Sequence, residues 1–265
     1  MRRNQLGWGV VLLVIGGLLL LESMDITLPN GISPMELLWP ILLIFLGAWI
    51  LLGVFMRGNV EAENAFILLE GAQDAVLKIN HGAGELKVHS GAGPTELVSG
   101  YFSGGMDKRV NRSGSVLDVR IRPAVDAFVF PFFGSITQLD WDVALNSEIP
   151  TALTLSTGAN KAVIDLRDMR LTDLRLESGA SETRLMLPSR GRFRADLDLG
   201  AASLEVIVPE GLAARIHTSV GAVDLKIDES RFPRAGDFYQ SPDFAASPNS
   251  VDMTIDAGAA SIRIR

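Results

Sequence analysis

Between Thr151 and Glu229 apolar and polar residues alternate in short runs, and the runs recur. Leu153 and Leu155 precede the pair Gly158-Ala159, and Ala162, Ile164 and Leu166 follow it. The order returns as Leu174, Leu176, Gly179-Ala180, Thr183, Leu185 and Leu187, then as Ala195, Leu197, Gly200-Ala201, Leu204, Val206 and Val208. A fourth copy runs Ile216, Thr218, Gly221-Ala222, Leu225 and Ile227. Polar residues such as Lys161, Glu182, Arg184, Ser203, Glu205, Asp224 and Lys226 fill the places between. Period-two alternation marks a strand with one buried face. Each unit therefore reads strand, Gly-Ala corner, strand, polar connector.

The four Gly-Ala pairs are spaced 21 residues apart. A fixed period of that length marks units that stack on their neighbours. The glycine is expected to let the backbone turn at the corner, and the alanine to be small enough to stack in register. Gly-Ala is not the Asn-Gly or Asp-Gly signal of a tight hairpin. Near-identical rungs thus favour a β-solenoid over a meander of hairpins, although both strand orders fit. The fold class is mainly β, a solenoid-like repeat domain with 21-residue rungs.

The unit also occurs upstream, where Leu77, Ile79, Gly82-Ala83, Leu86 and Val88 repeat the pattern, and downstream at Met253, Ile255, Gly258-Ala259, Ile262 and Ile264. Residues 228–248, rich in Pro, Ser and Asp, read as a surface insert in the last rung. The chain ends on a strand, which is expected to be an edge guarded by Arg263 and Arg265. Residues 100–122 read as two strands joined by a polar turn, Met106–Ser115. The stretch 123–137 breaks the alternation with Phe128, Phe130, Phe132 and Phe133 beside Pro131 and Gly134. Such an aromatic insert suits a cap over the open end of the core, a membrane contact or a partner site.

The amino-terminal end has another character. Leu6–Leu21 and Leu37–Met56 carry no charge, and the second run, at 20 residues, has spanning length. No small-x-small cleavage site follows the first run, and the second follows soon after, so a secretory leader fits poorly. A transmembrane hairpin is expected over 1–57, with helices at about 6–21 and 37–56, then a linker over 58–74 and the β-domain over 75–265. Arg2, Arg3 and Arg57 flank the hairpin, while the loop Glu22–Glu36 has no Lys or Arg. The positive-inside rule then puts both termini in the cytoplasm and the loop outside, in a two-span protein of the cell membrane.

Composition narrows the chemistry. The net charge of −7 argues against a nucleic-acid surface, and the absence of cysteine removes thiol catalysis, disulfides and cysteine metal sites. No nucleophile motif, phosphate loop or dinucleotide fingerprint occurs, so neither an enzyme nor a cofactor is expected. His81 and His89 flank the first corner and read as polar residues on an outer strand face, with no ligand spacing for a metal. Glu177, Asp198 and Asp256 recur two places before their glycines and read as a solvated ladder. Lys108, Arg109 and Arg112 form a basic cluster suited to anionic lipid heads or an acidic partner.

Two features together resemble a known family. Gly7-Trp8-Gly9 and Trp39-Pro40, in their apolar runs, are similar to the membrane domain of LiaI/LiaF-type proteins. Units such as Leu176-Glu177-Ser178-Gly179-Ala180 and Leu199-Gly200-Ala201-Ala202-Ser203 resemble the toast-rack β-domain of LiaF-like cell wall-active antibiotics response proteins, which is related to adhesin-type domains. The resemblance implies a non-enzymatic membrane regulator of bacterial envelope-stress signalling. Its partners would be the lipid bilayer, a membrane histidine kinase or other envelope-stress protein, and further copies of itself. The alternative is a structural or adhesin-like repeat module displayed at the cell surface. No catalytic residue belongs to the family pattern.

Overall fold

The alternating runs do form strands. A computed structural model describes Leu43 and residues 62–124 and 139–265. Leu43 apart, the expected hairpin lies outside the described residues, as do Phe128, Phe130, Phe132 and Phe133. The described strands belong to one compact unit, Asn59–Ala127 with Thr137–Arg265.

Strands β2 (Asp74–Ser90) and β7 (Thr151–Asp165) run through the Gly-Ala corner unbroken. Later units break there into pairs. These are β8 (Leu171–Ser178) with β9 (Glu182–Met186), β10 (Arg192–Leu199) with β11 (Ser203–Ile207), and β12 (Ala213–Val220) with β13 (Asp224–Ile227). The last pair is β16 (Ser250–Ala257) with β17 (Ser261–Ile264). Halves before the corner pair in parallel with one another to make a first face, and halves after it make a second. The apolar positions of both faces point inward, as period two requires. Ile79, Leu155, Leu176, Leu197 and Ile255 form one buried column, and Val88, Ile164, Leu185, Val206 and Ile264 another. Burying each such side chain stabilises by about 1.5–3 kcal/mol, so these columns outweigh the exposed ion pairs outside, each worth about 0–1 kcal/mol.

The glycines act differently from the expectation of a torsional hinge. Gly158, Gly179, Gly200, Gly221 and Gly258 do not have positive φ. All but Gly258 stand instead where the neighbouring rung's carbonyl comes close. A Cβ on Gly158 would lie 2.3 Å from the Gly82 oxygen, and one on Gly200 3.0 Å from the Gly179 oxygen. The corners are also bonded rung to rung, with Ala180 N–H donating to Gly158 O (3.1 Å) and Ala201 N–H to Gly179 O (2.9 Å).

The rungs do not stack in chain order. Ala195 of β10 lies beside Met253 of β16, and Met253 beside Ile216 of β12. The carboxy-terminal rung thus sits between the third and fourth Gly-Ala rungs of the 151–229 series. The expectation of a terminal edge is overturned, because β17 pairs with β11 on one side and β13 on the other. The insert 228–248 makes this possible by turning the chain back. Within it β14 (Arg234–Ala235) and β15 (Phe238–Gln240) add antiparallel strands beyond β12, and Phe232 is buried.

The other end departs from the repeat. β5 (Val116–Pro123) and β6 (Trp141–Leu145) pair in parallel with the two halves of β2. β3 (Glu96–Ser103) and β1 (Ala62–Leu68) extend the second face antiparallel from β6. β1 lies inside the stretch read as a linker, where an edge strand with one inner neighbour shows only a short alternation. The expected turn at Met106–Ser115 is likewise largely a strand, β4 (Met106–Ser113), paired with β5. Its residues are exposed or half-buried on both faces, so it lacks the alternation that would have revealed it.

Candidate interaction surfaces

The three cations named from sequence fall on β4, and the structure divides them. Lys108 and Arg112 stand opposite the buried Ile121 and Leu117, while Arg109 stands opposite Arg120. Strand alternation therefore turns Lys108 and Arg112 toward the interior side and Arg109 outward. Lys108 Nζ donates to Phe66 O at 3.0 Å, and Arg112 donates through Nη1 to Glu70 O and through Nε to Gly114 O at 3.0 Å. Lys108 thus caps a carbonyl of β1, and Arg112 caps one just past its end and one in the β4–β5 turn. Arg109 remains outward beside Arg120 and Arg122, and Arg122 is paired with Asp107 at 2.7 Å.

At the corner, polar side chains continue the inward alternation of their strands. His81 is buried, contrary to the outer-face expectation. Its Nε2 lies 2.7 Å from Leu139 O and its Nδ1 3.1 Å from Asn160 Nδ2. The neutral tautomer carrying its proton on Nε2 satisfies both contacts. Burial pushes the imidazole below its ordinary value, so it is held neutral. Trp141 packs edge-on against it at 5.4 Å. The backbone of Leu139 fits there because residue 84 is glycine: a Cβ on Gly84 would lie 2.3 Å from the Leu139 oxygen. In the next rungs Thr157, Ser178, Ser181 and Thr183 form a buried chain of hydroxyls. Thr183 occupies an apolar column, and its hydroxyl is tolerated because Ser181 bonds it at 3.2 Å.

Outside, residues equivalent between rungs line up as charged rows. Ser156, Glu177, Asp198, Asp256 and Ser219 occupy adjacent strands of the first face. Glu177 accepts from Ser156 Oγ and Arg175 Nε, both at 2.8 Å. The Ser156 bond first, then Arg175, holds its carboxyl below the usual range. Among the described residues no group of three His, Cys, Asp or Glu is arranged to hold a metal ion.

The second face carries an open groove of about 410 Å³, lined among others by Glu85, Lys161, Glu182, Arg184, Glu205 and Arg263. Glu205 accepts from Arg184 Nε at 2.8 Å and Arg265 Nε at 2.9 Å, and these bonds, Arg184's above all, hold its carboxyl low. A second groove of about 600 Å³ lies among the connectors, with Arg167, Arg170 and Arg190 beside Glu148 and Asp168. Both grooves mix charges of the two signs. That suits contact with a polar surface.

Residues 56–207 match the family model described as the N-terminal domain of toast_rack, DUF2154, and residues 6–51 match a LiaI-LiaF-like transmembrane region. No curated protein matches the sequence. Among solved structures, a protein described as a putative cell adhesion protein from Clostridium sporogenes is similar at TM-score 0.68 and 21% identity, covering 77% of this chain and 98% of its own. A protein described as a putative adhesin from Bacteroides fragilis aligns at TM-score 0.23 and 8% identity, covering 77% of this chain and 96% of its own.

Proposed function

The chain belongs to the toast-rack family, and on that premise we propose that it is a membrane-anchored, non-enzymatic regulator of bacterial envelope-stress signalling. It acts through protein–protein contact with a membrane sensor kinase system. The observation that carries this reading is the pairing, in one chain, of a LiaI-LiaF-like transmembrane region with a toast-rack domain. The charged rows and mixed grooves support it, since they suit recognition of another polar surface. Arg2, Arg3 and Arg57 against a loop without Lys or Arg support cytoplasmic termini. A domain on that side can meet a kinase's catalytic part.

The second reading is a structural or adhesin-like module at the cell surface. It is favoured by the likeness in fold to the Clostridium sporogenes protein described as a putative cell adhesion protein. Reporter fusions after Arg57 and after Arg265, active on one side of the membrane only, separate the two. Cytoplasmic signal at both positions is expected, and a kinase should then co-purify with the full chain. External signal at both overturns the regulator and favours the surface module.

A further inference from the structure

The two faces end differently at the rung of β12 and β13. The insert covers β12 with β15, but β13 has no strand beyond it among the described residues. At the opposite end of the second face Lys108 occupies a carbonyl of β1, Phe66 O, and Arg112 the Glu70 carbonyl just past it. β4, the other bare edge, carries Lys108, Arg109 and Arg112, the kind of charge that discourages pairing. β13 carries a single cation, Lys226, which is paired within the strand to Asp224 at 3.2 Å. Its Val223, Leu225 and Ile227 are only partly buried against the core, and Asp224 and Lys226 have side chains 63% and 62% exposed.

The backbone of β13 is ready to pair. Asp224 N–H donates to Ala260 O and Asp228 N–H to Ile264 O, both at 3.0 Å. Even-numbered residues therefore bond inward to β17, and alternation directs the N–H and C=O of Leu225 and Ile227 to the free side. We infer that β13 pairs antiparallel with β13 of a second copy, about a two-fold axis through Leu225.

One register satisfies three requirements together. With Leu225 opposite Leu225, the N–H groups of Leu225 and Ile227 donate across the axis, to Leu225 O and Val223 O of the second copy; the Val223 N–H is held within its own chain by Gly221 O at 3.2 Å. Val223 then meets Ile227, so the apolar side of one strand continues the apolar side of the other. Asp224 meets Lys226, twice by symmetry, which places opposite charges across the closer, non-bonded positions. Shifting the axis to Asp224 or Lys226 puts like charges opposite each other. Slipping the pairing by one residue sets an apolar position against a charged one. The self-complementary order Val-Asp-Leu-Lys-Ile thus names the second copy as the occupant.

The test uses the full chain in detergent, with its mass measured by light scattering as concentration is varied. A dimer is expected. Lys226→Asp replaces two attractive pairs by two repulsive ones and should raise the dissociation constant about 10-fold or more. The double variant Asp224→Lys/Lys226→Asp should restore the dimer. The native chain has no cysteine, so mixing Asp224→Cys protein with Lys226→Cys protein and oxidising should give a disulfide-linked dimer. The paired positions lie about 4.5 Å apart in such a ladder, within disulfide reach. A native chain that stays monomeric overturns the inference. So does a dimer insensitive to Lys226→Asp, a double variant that fails to recover, or a mixture that does not cross-link.

Discussion

Replacing the corner glycines by alanine should produce a graded series set by the neighbouring rung's carbonyl. At Gly158 the new Cβ would lie 2.3 Å from the Gly82 oxygen and 3.2 Å from its carbon. Ordinary contact needs about 3.4 Å, so the two rungs would have to part by about 1 Å. That is enough to break ladder bonds whose usual length is about 2.9 Å. Overpacking of this kind costs about 1–3 kcal/mol. At Gly82 a Cβ meets nothing within 4 Å, and at Gly258 the nearest atom is the Gly200 oxygen at 3.4 Å. There the substitution should be neutral, or at Gly82 stabilising by about 0.4–1 kcal/mol through the unfolded chain. Gly158→Ala and Gly82→Ala should therefore differ by about 2–3 kcal/mol, on the order of 1 M in urea midpoint. The assay is urea denaturation of the full chain in detergent, followed by the β-sheet circular dichroism signal. Equal midpoints for the two variants would refute the close-approach argument.

Three further outcomes are expected. His81 is held neutral by burial, so below about pH 6.5 the unfolded chain takes up a proton that the folded chain resists. Its contribution is complete above that pH and is lost as pH falls. His89, raised first by its bond to the Ser90 carbonyl, acts in the opposite sense, so the comparison of native chain with His81→Gln isolates the effect. The acid-side loss in urea midpoint should shrink in the variant, and an unchanged slope would exclude His81. Phe232→Ala should cost about 3 kcal/mol in the same denaturation assay, because this side chain of the insert is fully buried. A cost below about 1 kcal/mol would mean the insert is a dispensable surface loop. Deleting 250–265 removes strands that pair on both sides. Limited proteolysis should then find 192–227 cleaved rapidly, whereas continued protection there would show that β10 and β12 can meet directly.

The strands with one wet face were legible because burial imposes period two on their side chains. Leu153, Leu174 and Ala195, equivalent in the repeat, are indeed neighbours across the first face. β4 was not legible, since an edge strand wet on both faces has no such constraint. The basic cluster was visible as composition, but its division was not. Lys108 and Arg112 look alike with Arg109 until pairing with β5 assigns each a side. His81 reads as an outer residue because it is polar and beside the corner, although it continues the inward parity of Leu77 and Ile79; the return of the chain at Leu139 supplies the carbonyl that its ring needs there.

Local pattern by itself determined where the strands of the repeat run and which of their residues face the core, because those depend on neighbours within a few positions, whereas β1 and β4 escaped it. The tertiary structure decided the order of the rungs. Parallel rungs of equal length bury equivalent columns in whatever order they stack, so nothing in the alternation forbids the final rung from entering between β10 and β12. The insert that carries the chain back, and the edge it leaves bare at β13, exist only once that order is set.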